Sequence, residues 1–406
     1  MNALLVSRMA TPVIVDAVRT PFGDRDGAFR DTHPQDLATE PLRALEDRVG
    51  FDPALVEDVV YGCVTPKGDQ GSNIARIAPL VAGWGEDLDD DPEPGDSYGG
   101  RHGPPGVQLN RMCGSGQQAV NFAAGQIGAG FQDVVVAGGV EHMTREPMGS
   151  DGGSMSDAYF EQFEELIPQG ESAERIAERW GFTREDLDEL AAESQSRWQA
   201  AWDAGRYDDQ VVPVDTELDG EPTTVDVDGH PRPESTVESL SGVPLAFREE
   251  GEGVVHAGNS SGIVDGASAL LVTSEATAAA NGWEPLAKIV DVEVVGVDPT
   301  TMLTGPIPAT ERLLAANDLG VDDVDRFEVN EAFASVLAAW LEETGADWDR
   351  VNVDGGAIAH GHPLGATGAA LVTKLAHMID RGDAETAVST MCIGFGQGIA
   401  TLLEAP

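Results

Sequence analysis

The stretch Gly355-Gly356-Ala357-Ile358-Ala359-His360-Gly361-His362-Pro363-Leu364-Gly365-Ala366-Thr367-Gly368 decides how the chain is read. A strand-like lead, Val351-Asn352-Val353, runs into paired glycines. A Gly-His-Pro turn follows, and then a helical run, Ala369–Met378. Pro363 fixes its own φ and biases His362 away from helical geometry. The surrounding glycines remove side-chain bulk, so backbone or substrate can come close. Such a loop suits holding one imidazole at a fixed place, although an ordinary tight turn has the same composition and histidine serves many ends. It is not a nucleotide fingerprint, because it lacks both Gly-x-Gly-x-x-Gly spacing and a Gly-Lys-Ser/Thr ending.

The 406 residues are enough for two or three domains' worth of core, and 41% hydrophobic content marks a globular chain. No apolar run approaches the length of a membrane span. The start, Met1–Ala10, has no cleavage pattern, so a cytoplasmic location is expected; Met9, just before Ala-Thr-Pro-Val-Ile-Val, reads as the initiator. Three cysteines without a Cys-x-x-Cys pair give neither a disulfide framework nor a structural zinc site, and no metal is expected.

Charge is the outlier. There are 71 acidic against 24 basic residues, net −47, and lysine occurs only at Lys67, Lys288 and Lys374. Nucleic acid would have to overcome this field and is excluded as a partner. The charge is spread along the chain rather than gathered in a tail, the pattern of proteins working in very salty cytoplasm.

Outward from the opening stretch, strands and helices alternate. Pro12–Val18, Val56–Gly62, Val107–Asn110, Asp133–Gly139, Gly266–Ser274, Lys288–Val297 and Val324–Asn330 read as strands. Helices are expected near Pro34–Val49, Gln117–Ala129, Ser172–Trp180, Arg184–Ala204 and Ala309–Asn317. Gly85–Gly106 is a polar loop rich in Gly, Pro and Asp. The chain also resembles itself. Val56-Glu-Asp-Val-Val-Tyr-Gly parallels Val324-Asp-Arg-Phe-Glu-Val-Asn, and each leads to a strand, a reactive-looking turn, a helix and a further apolar strand. The turns hold Cys113 and His362; the last strands are Val134–Gly138 and Thr386–Met391. This predicts an α/β fold of two duplicated, layered halves with mostly parallel sheets. Its divisions are a first half at 9–140, an inserted loop domain at 141–253, a return to the first half at 254–285, and a second half at 286–406.

Four segments carry chemistry. Asn110-Arg-Met-Cys113-Gly-Ser-Gly sets a cysteine before a helix, where amide dipoles favour the thiolate. Asn330-Glu331-Ala332-Phe333 puts a neutral donor at a strand end, and Met391-Cys392-Ile393-Gly394-Phe395-Gly396 places a second cysteine in a glycine-rich turn. His362 completes the set. Each alone is ordinary, since buried cysteine is usually inert. Together, in this order, they resemble the thiolases from about Thr11 to the C-terminus. Val254-Val-His-Ala-Gly-Asn-Ser-Ser-Gly262 and Gly296-Val-Asp-Pro with Gly305-Pro-Ile-Pro-Ala309 belong to the same resemblance.

The resemblance implies the duplicated five-layer (αβαβα) thiolase fold, coenzyme A as substrate with no permanently bound cofactor, CoA thioesters as ligands and a homodimer or homotetramer. A β-oxidation enzyme is the partner it suggests. It implies Cys113 as the nucleophile that carries the acyl group, with His362 taking its proton. Cys392 would be the acid/base at the α-carbon of acetyl-CoA, Asn330 would hold a water, and the amides of Cys113 and Gly394 would form an oxyanion hole. Ser261 and Arg232 match positions near the pantetheine and the adenine end of coenzyme A; Met302 and Phe333 would line the acyl pocket. The chemistry suits these types, because thiol exchange wants a thiolate and an enolate-like oxyanion wants preorganised neutral donors.

Departures from the family pattern are His256 for a threonine, His360 for an aliphatic residue, Phe395 for a glycine, and Pro168 where some members have a histidine. His256 and His360 read either as structural neighbours or as residues tuning the site; Cys63 reads as structural. Gly139-Val-Glu-His-Met143 and Arg232-Pro-Glu-Ser-Thr lean toward the degradative 3-ketoacyl-CoA thiolases. A biosynthetic enzyme making acetoacetyl-CoA is the alternative within the family. A non-catalytic thiolase-like carrier would be expected to have lost one of the catalytic residues, and all are present.

Overall fold

Alternate residues of the first strand, β1 (Pro12–Arg19), face two different cores: Val13, Val15 and Val18 look one way, Ile14 and Ala17 the other. Burial on both faces requires layers on both sides, and the computed structural model supplies them. It describes residues 10–85, 102–163, 165–249 and 251–406. The expectations for the chain start before Ala10 and for most of the Gly85–Gly106 loop lie outside these residues.

After β1 come β2 (Gly23–Asp24), α1 (Pro34–Val49), β3 (Asp58–Gly62), α2 (Ile74–Val81), β4 (Gly106–Leu109), α3 (Ser115–Gly128) and β5 (Val134–His142). Next follow α4 (Asp157–Gln162), α5 (Gln169–Trp180), α6 (Arg184–Asp203), the hairpin β6 (Val214–Leu218) and β7 (Glu221–Val225), and α7 (Val237–Leu240). Then β8 (Val264–Ser274) and α8 (Glu275–Asn281) return to the first half. The second half runs β9 (Ala287–Gly296), α9 (Pro306–Ala316), β10 (Arg326–Val329), α10 (Ala334–Thr344), α11 (Ala357–His360), α12 (Leu364–Asp380), β11 (Thr386–Ile393) and β12 (Gln397–Glu404).

Strand order makes the duplication visible. The first half reads β4-β3-β5-β8-β1 and the second β10-β11-β12-β9, joined edge to edge where Val13 and Ile14 of β1 meet Lys288 and Ala287. Val351 extends the second half by a bridge to Phe327, in the place that β4 takes beside β3. The parallel between Val56–Gly62 and Val324–Asn330 is therefore a parallel between β3 and β10. The expectation of mostly parallel sheets needs correction. Only β3, β4, β5 and the pair β10–β11 run parallel; β8, β1, β12 and β9 pair antiparallel. In the second half the cause is local. A three-residue turn, Gly394–Gly396, joins β11 to β12 with Phe395 (φ 61°) and Gly396 (φ 75°) both left-handed, and a hairpin that tight must return antiparallel. Phe395 thus takes a conformation that glycine adopts without strain.

Helices α3 and α12 lie between the two halves of the sheet and share one core with both, Ala119, Val120 and Ala123 on α3 and Ala369, Val372 and Leu375 on α12. The helix α12 is buried along its whole length except Asp380. Glycines allow the approach. The Gly365 carbonyl lies where a Cβ on Gly62, Gly116 or Gly139 would stand, 2.0–2.7 Å away. A side chain at any of the three would push apart the helices that carry the site. The outer layers are α1 and α2 on the first half and α9 and α10 on the second. No helix of the described residues is long and apolar enough to cross a membrane.

Three local differences matter for the site. The helix α12 begins at Leu364, five residues before the expected start, so His362 sits two residues ahead of it rather than in a long loop. The lead at Val351 is a single bridge, because Asn352 turns left-handed (φ 47°) and spends its side chain on Val329 and Glu331. The helix α10 was not expected as an element; its run Ala334–Trp340 is buried all round and has no amphipathic period to read.

Candidate active site

The node is built from three buried carboxylates, none of which is itself placed for chemistry. Glu141, at the end of β5, accepts hydrogen bonds from the amides of Val64, Thr65 and Gly365 and from Gln70. Glu331, just after β10, accepts from Ser194, Asn352 and the amide of Ile358, and so ties α6 to the loop that carries His362. Glu328 pairs with Lys374 at 2.8 Å, and the same ammonium donates to the Gly355 carbonyl. The loop is thus anchored at Gly355, Ile358 and Gly365, and His362 is fixed between these points. Its amide donates to the Gly262 carbonyl.

Hydrogen bonding settles the tautomer of His362. Thr367 donates its hydroxyl hydrogen to the Pro363 carbonyl at 2.9 Å, so its oxygen must accept from Nδ1–H of His362 at 2.6 Å. Nε2 therefore carries a lone pair, and the Asn330 side-chain amide lies 3.4 Å from it. Burial pulls the pKa of His362 down to about 4, so the ring is neutral near pH 7. The unfolded chain would bind a proton between about pH 6.5 and 4 that the native ring refuses, so this residue subtracts stability as pH falls through that window. As a base it stays competent there. We expect kcat/KM for thiolysis to hold its value through pH 6.5 and fall only near pH 4; an acid limb centred at 6.5 in the pH–rate profile would contradict the assignment.

Cys113 stands two residues before α3, after Met112, which is left-handed (φ 46°) and fixes the turn. Its thiol is 4% exposed, packed among Val64, Met143, Leu364 and Met112. Burial raises its pKa, opposed by Gln169 and by the amides of Gly394 and Cys113 itself. This corrects the expectation from the helix dipole alone: desolvation outweighs it, and the resting sulfur is a thiol. Among the described residues its hydrogen-bond partner through a side chain is Gln169, whose Nε2 lies 4.0 Å from Sγ. The two amides nearest the sulfur, Cys113 and Gly394, are the pair expected as an oxyanion hole.

Cys392 lies on β11, buried with Met302, Phe333, Ile167 and Ala332. Burial drives its pKa well up; the neighbouring Cys113 raises it further, while Asn330 and the amide of Ala332 oppose the rise. Asn330 thus faces both His362 and Cys392, and its Oδ1 is buried without a hydrogen-bond partner in the chain. Met302 and Phe333 line the same cluster as Cys392, and Phe333 meets Phe247 edge to face at 6.1 Å. Ser261 is half-buried, its amide bonded to the Ala332 carbonyl.

Arg232 is exposed, and its guanidinium is held by Asp24 at 2.8 Å and by the carbonyls of Gly229, His230 and Pro231. His256 is fully buried and paired with Asp188 at 2.7 Å, which accounts for it as a structural residue. His360 bonds the Gly361 carbonyl and packs against Phe22, away from the sulfurs' hydrogen bonds. Cys63 is buried with its pKa pushed up, in the core beneath α1 and α2. Gln169 is the residue that sequence reasoning passed over; only its place after Pro168 marked it. No group of three or more His, Cys, Asp or Glu among the described residues could hold a metal ion.

Two family models match the chain: the thiolase N-terminal domain over residues 12–89 and 98–276, and the thiolase C-terminal domain over 283–405. The steroid 3-ketoacyl-CoA thiolase FadA6 of Mycobacterium tuberculosis is 40% identical, over 98% of this chain and 94% of its own. The 3-oxoadipyl-CoA/3-oxo-5,6-dehydrosuberyl-CoA thiolase of Escherichia coli is 40% identical, over 98% and 100%. Among solved structures, the acetyl-CoA acetyltransferase of Bacillus anthracis superposes with a TM-score of 0.87 at 36% identity, covering 98% of this chain and all of that one.

Proposed function

The chain belongs to the thiolase family, and from that premise we infer that it cleaves 3-ketoacyl-CoA with coenzyme A, giving acetyl-CoA and a shortened acyl-CoA. The observation that carries this reading is the meeting of two thiols, a neutral imidazole with a bare Nε2 and an asparagine amide at one buried point. Coenzyme A is a substrate here, and no resident cofactor takes part.

The steps follow from the site. Cys113 gives its proton to Nε2 of His362, and the thiolate attacks the 3-keto carbon. The C2–C3 bond breaks, its electron pair passing into the enolate of acetyl-CoA. Nε2–H, now protonated, donates to the enolate oxygen beside a water held on Asn330 Oδ1. Cys392 delivers its proton to C2, which releases acetyl-CoA. The acyl thioester on Cys113 rests its carbonyl oxygen on the amides of Cys113 and Gly394. His362 returns its proton to the Cys392 thiolate, takes the thiol proton of incoming coenzyme A as that sulfur attacks the thioester, and passes it to the departing Cys113 thiolate, which restores all three groups. The raised pKa of Cys392 suits it for both transfers, since a thiol that resists ionisation becomes a strong base once it has lost its proton.

Degradation rather than synthesis is favoured by the 3-ketoacyl-CoA names of the relatives and by the apolar character of the residues around Cys392, namely Met302, Phe333 and Ile167. The biosynthetic alternative is supported by the acetyl-CoA acetyltransferase likeness. A cytoplasmic β-oxidation enzyme acting with others of that sequence of reactions fits the three unpaired cysteines. Ser261 and Arg232 are proposed at the pantetheine and the adenine end of coenzyme A; for Arg232 this requires the guanidinium to exchange Asp24 for phosphate. A homo-oligomer is proposed through the edge strand β4, where Val107, Phe122 and Phe131 are exposed together.

The test is thiolysis of 3-ketoacyl-CoA substrates of four to ten carbons in high salt, with wild type and Cys392→Ser. Wild type is expected to cleave the longer chains. The variant should still exchange acetyl groups between coenzyme A molecules while thiolysis falls roughly 10²-fold or more. Cleavage of acetoacetyl-CoA alone would favour the biosynthetic alternative. An equal fall in both half-reactions would remove Cys392 from its role.

A further inference from the structure

Among the described residues, no lysine or arginine figures among the groups acting on the resting Cys113 thiol. Val64, Met143, Leu364 and Met112 surround Cys113, and His362 is neutral. Apart from the His362 ring, which becomes cationic on taking the proton, the donors that face the sulfur are uncharged. Two are main-chain amides, of Cys113 and Gly394. The third is the side chain of Gln169, whose Nε2 donates toward Sγ across 4.0 Å and lies 3.2 Å from where a Cβ on Gly394 would stand.

Gln169 is also held rather than loose. It opens α5, and the turn that follows it is pinned from three directions. Ser172 Oγ donates to the Thr301 carbonyl at 2.6 Å, and Ser335 Oγ donates to the Ala173 carbonyl at 2.9 Å. Glu174 accepts from the amides of Val254 and Val255 at 2.9 and 3.0 Å. Gly170 has no side chain, and the Phe247 ring fills the place, 2.1 Å from where its Cβ would be. Val254 and Val255 belong to the same cluster as Met302 and Phe333, and Phe247 packs on Phe333. A primary amide is thus set beside the apolar residues that pack around Cys113, half-buried, with its donor toward the sulfur.

We propose that Gln169 is a further catalytic residue, whose amide N–H stabilises the Cys113 thiolate both when it attacks and when it departs from the acyl group. The proposal rests on the thiolase reading. The 4.0 Å separation belongs to the resting thiol; once the proton passes to Nε2 of His362 the sulfur is charged and draws the donor in, as hydrogen bonds at catalytic groups tighten on the reaction path. A neutral donor has a specific merit in this protein. A lysine or arginine at the same place would be drawn to the surrounding carboxylates of a chain of net charge −47, whereas an amide is not.

The experiment follows alkylation of Cys113 by iodoacetamide, peptide by peptide, from about pH 7 to 12 in high salt, for wild type, Gln169→Met and Gln169→Glu. Methionine keeps the length and removes the donor; glutamate keeps the shape and adds charge. The midpoint of the rate profile is expected to rise by about one pH unit with methionine and further with glutamate, since a hydrogen bond to a charged group is worth about that much. Coincident profiles for wild type and Gln169→Met would overturn the proposal, as would a lower midpoint for Gln169→Glu than for Gln169→Met. In parallel, wild type is mixed with acetyl-CoA and Cys113 examined for an acetyl adduct by mass spectrometry. An adduct supports the reading on which the proposal stands. Its absence counts against that reading, while the alkylation profiles still decide whether Gln169 acts on the sulfur.

Discussion

Cys113→Ala is expected to give a folded protein that forms no acyl adduct with acetyl-CoA and has lost thiolysis by on the order of 10⁵-fold or more, the scale seen when a covalent nucleophile is removed. The fold should survive, because the sulfur is a small group in an apolar corner formed by Val64, Met143 and Leu364. Its loss costs about 1 kcal/mol, a small part of the roughly 5–15 kcal/mol by which folded proteins are stable. The size of the activity loss comes from the absence of any substitute. Cys392 is the only other thiol near the substrate, and burial and Cys113 together hold it protonated. Cys63 sits in a different core altogether. The check is mass spectrometry after mixing with acetyl-CoA, beside a thermal melt of both proteins. An acetyl label on Cys392 or Cys63 in the variant would move the nucleophile elsewhere.

The candidate residues Cys113, Cys392 and His362 stand out in the sequence because each is bound to a turn that glycine or proline announces. Cys113 precedes Gly114, Cys392 precedes Gly394, and His362 sits between Gly361 and Pro363. Duplication was legible for the same reason: β3 and β10 carry alike sequences and feed alike turns. What the sequence hid is what long-range packing decides. The helix dipole at α3 is a local feature and could be read; the burial that outweighs it comes from Val64, Met143 and Leu364, which reach Cys113 from separate segments. Gln169 is 56 residues from the sulfur it serves and looks like the start of any amphipathic helix. Strand direction failed where it hangs on a turn's handedness: Phe395 does not look like a left-handed residue, yet its φ of 61° reverses the chain. Arg232 reads from the sequence as a residue near the adenine end of coenzyme A, and its pairing with Asp24 across 208 residues cannot be seen there.

Removing salt is expected to cost this protein much of its activity together with the homo-oligomer proposed for it. Even if each of the 24 basic residues cancelled one carboxylate, 47 of the 71 acidic residues would remain unmatched. Several cations are not available to the surface at all. Arg19 is buried against Asp228 and Lys374 against Glu328, and arginines nearer the surface, such as Arg175 and Arg248 around Glu171, are already paired, so carboxylates set the outer charge. At 0.01 M salt the Debye length is about 30 Å, comparable to the span of a domain, and carboxylates on one whole face repel one another. At 1 M it is about 3 Å, and only neighbours interact. Pairing two such chains along β4 brings like fields together, so repulsion opposes the oligomer more strongly than the monomer. Coenzyme A, with its phosphates, meets the same field on approach, and low salt slows its binding as well. We therefore expect size and thiolysis rate to climb together as potassium chloride rises into the molar range. The catalytic chemistry itself, carried by neutral donors and a neutral imidazole, should respond little to salt once the substrate is bound. Dialysis to 0.01 M salt, followed by light scattering and by separate kcat and KM measurements, distinguishes these effects. An unchanged oligomer with unchanged KM at low salt would remove the proposal that the acidic surface adapts this enzyme to brine.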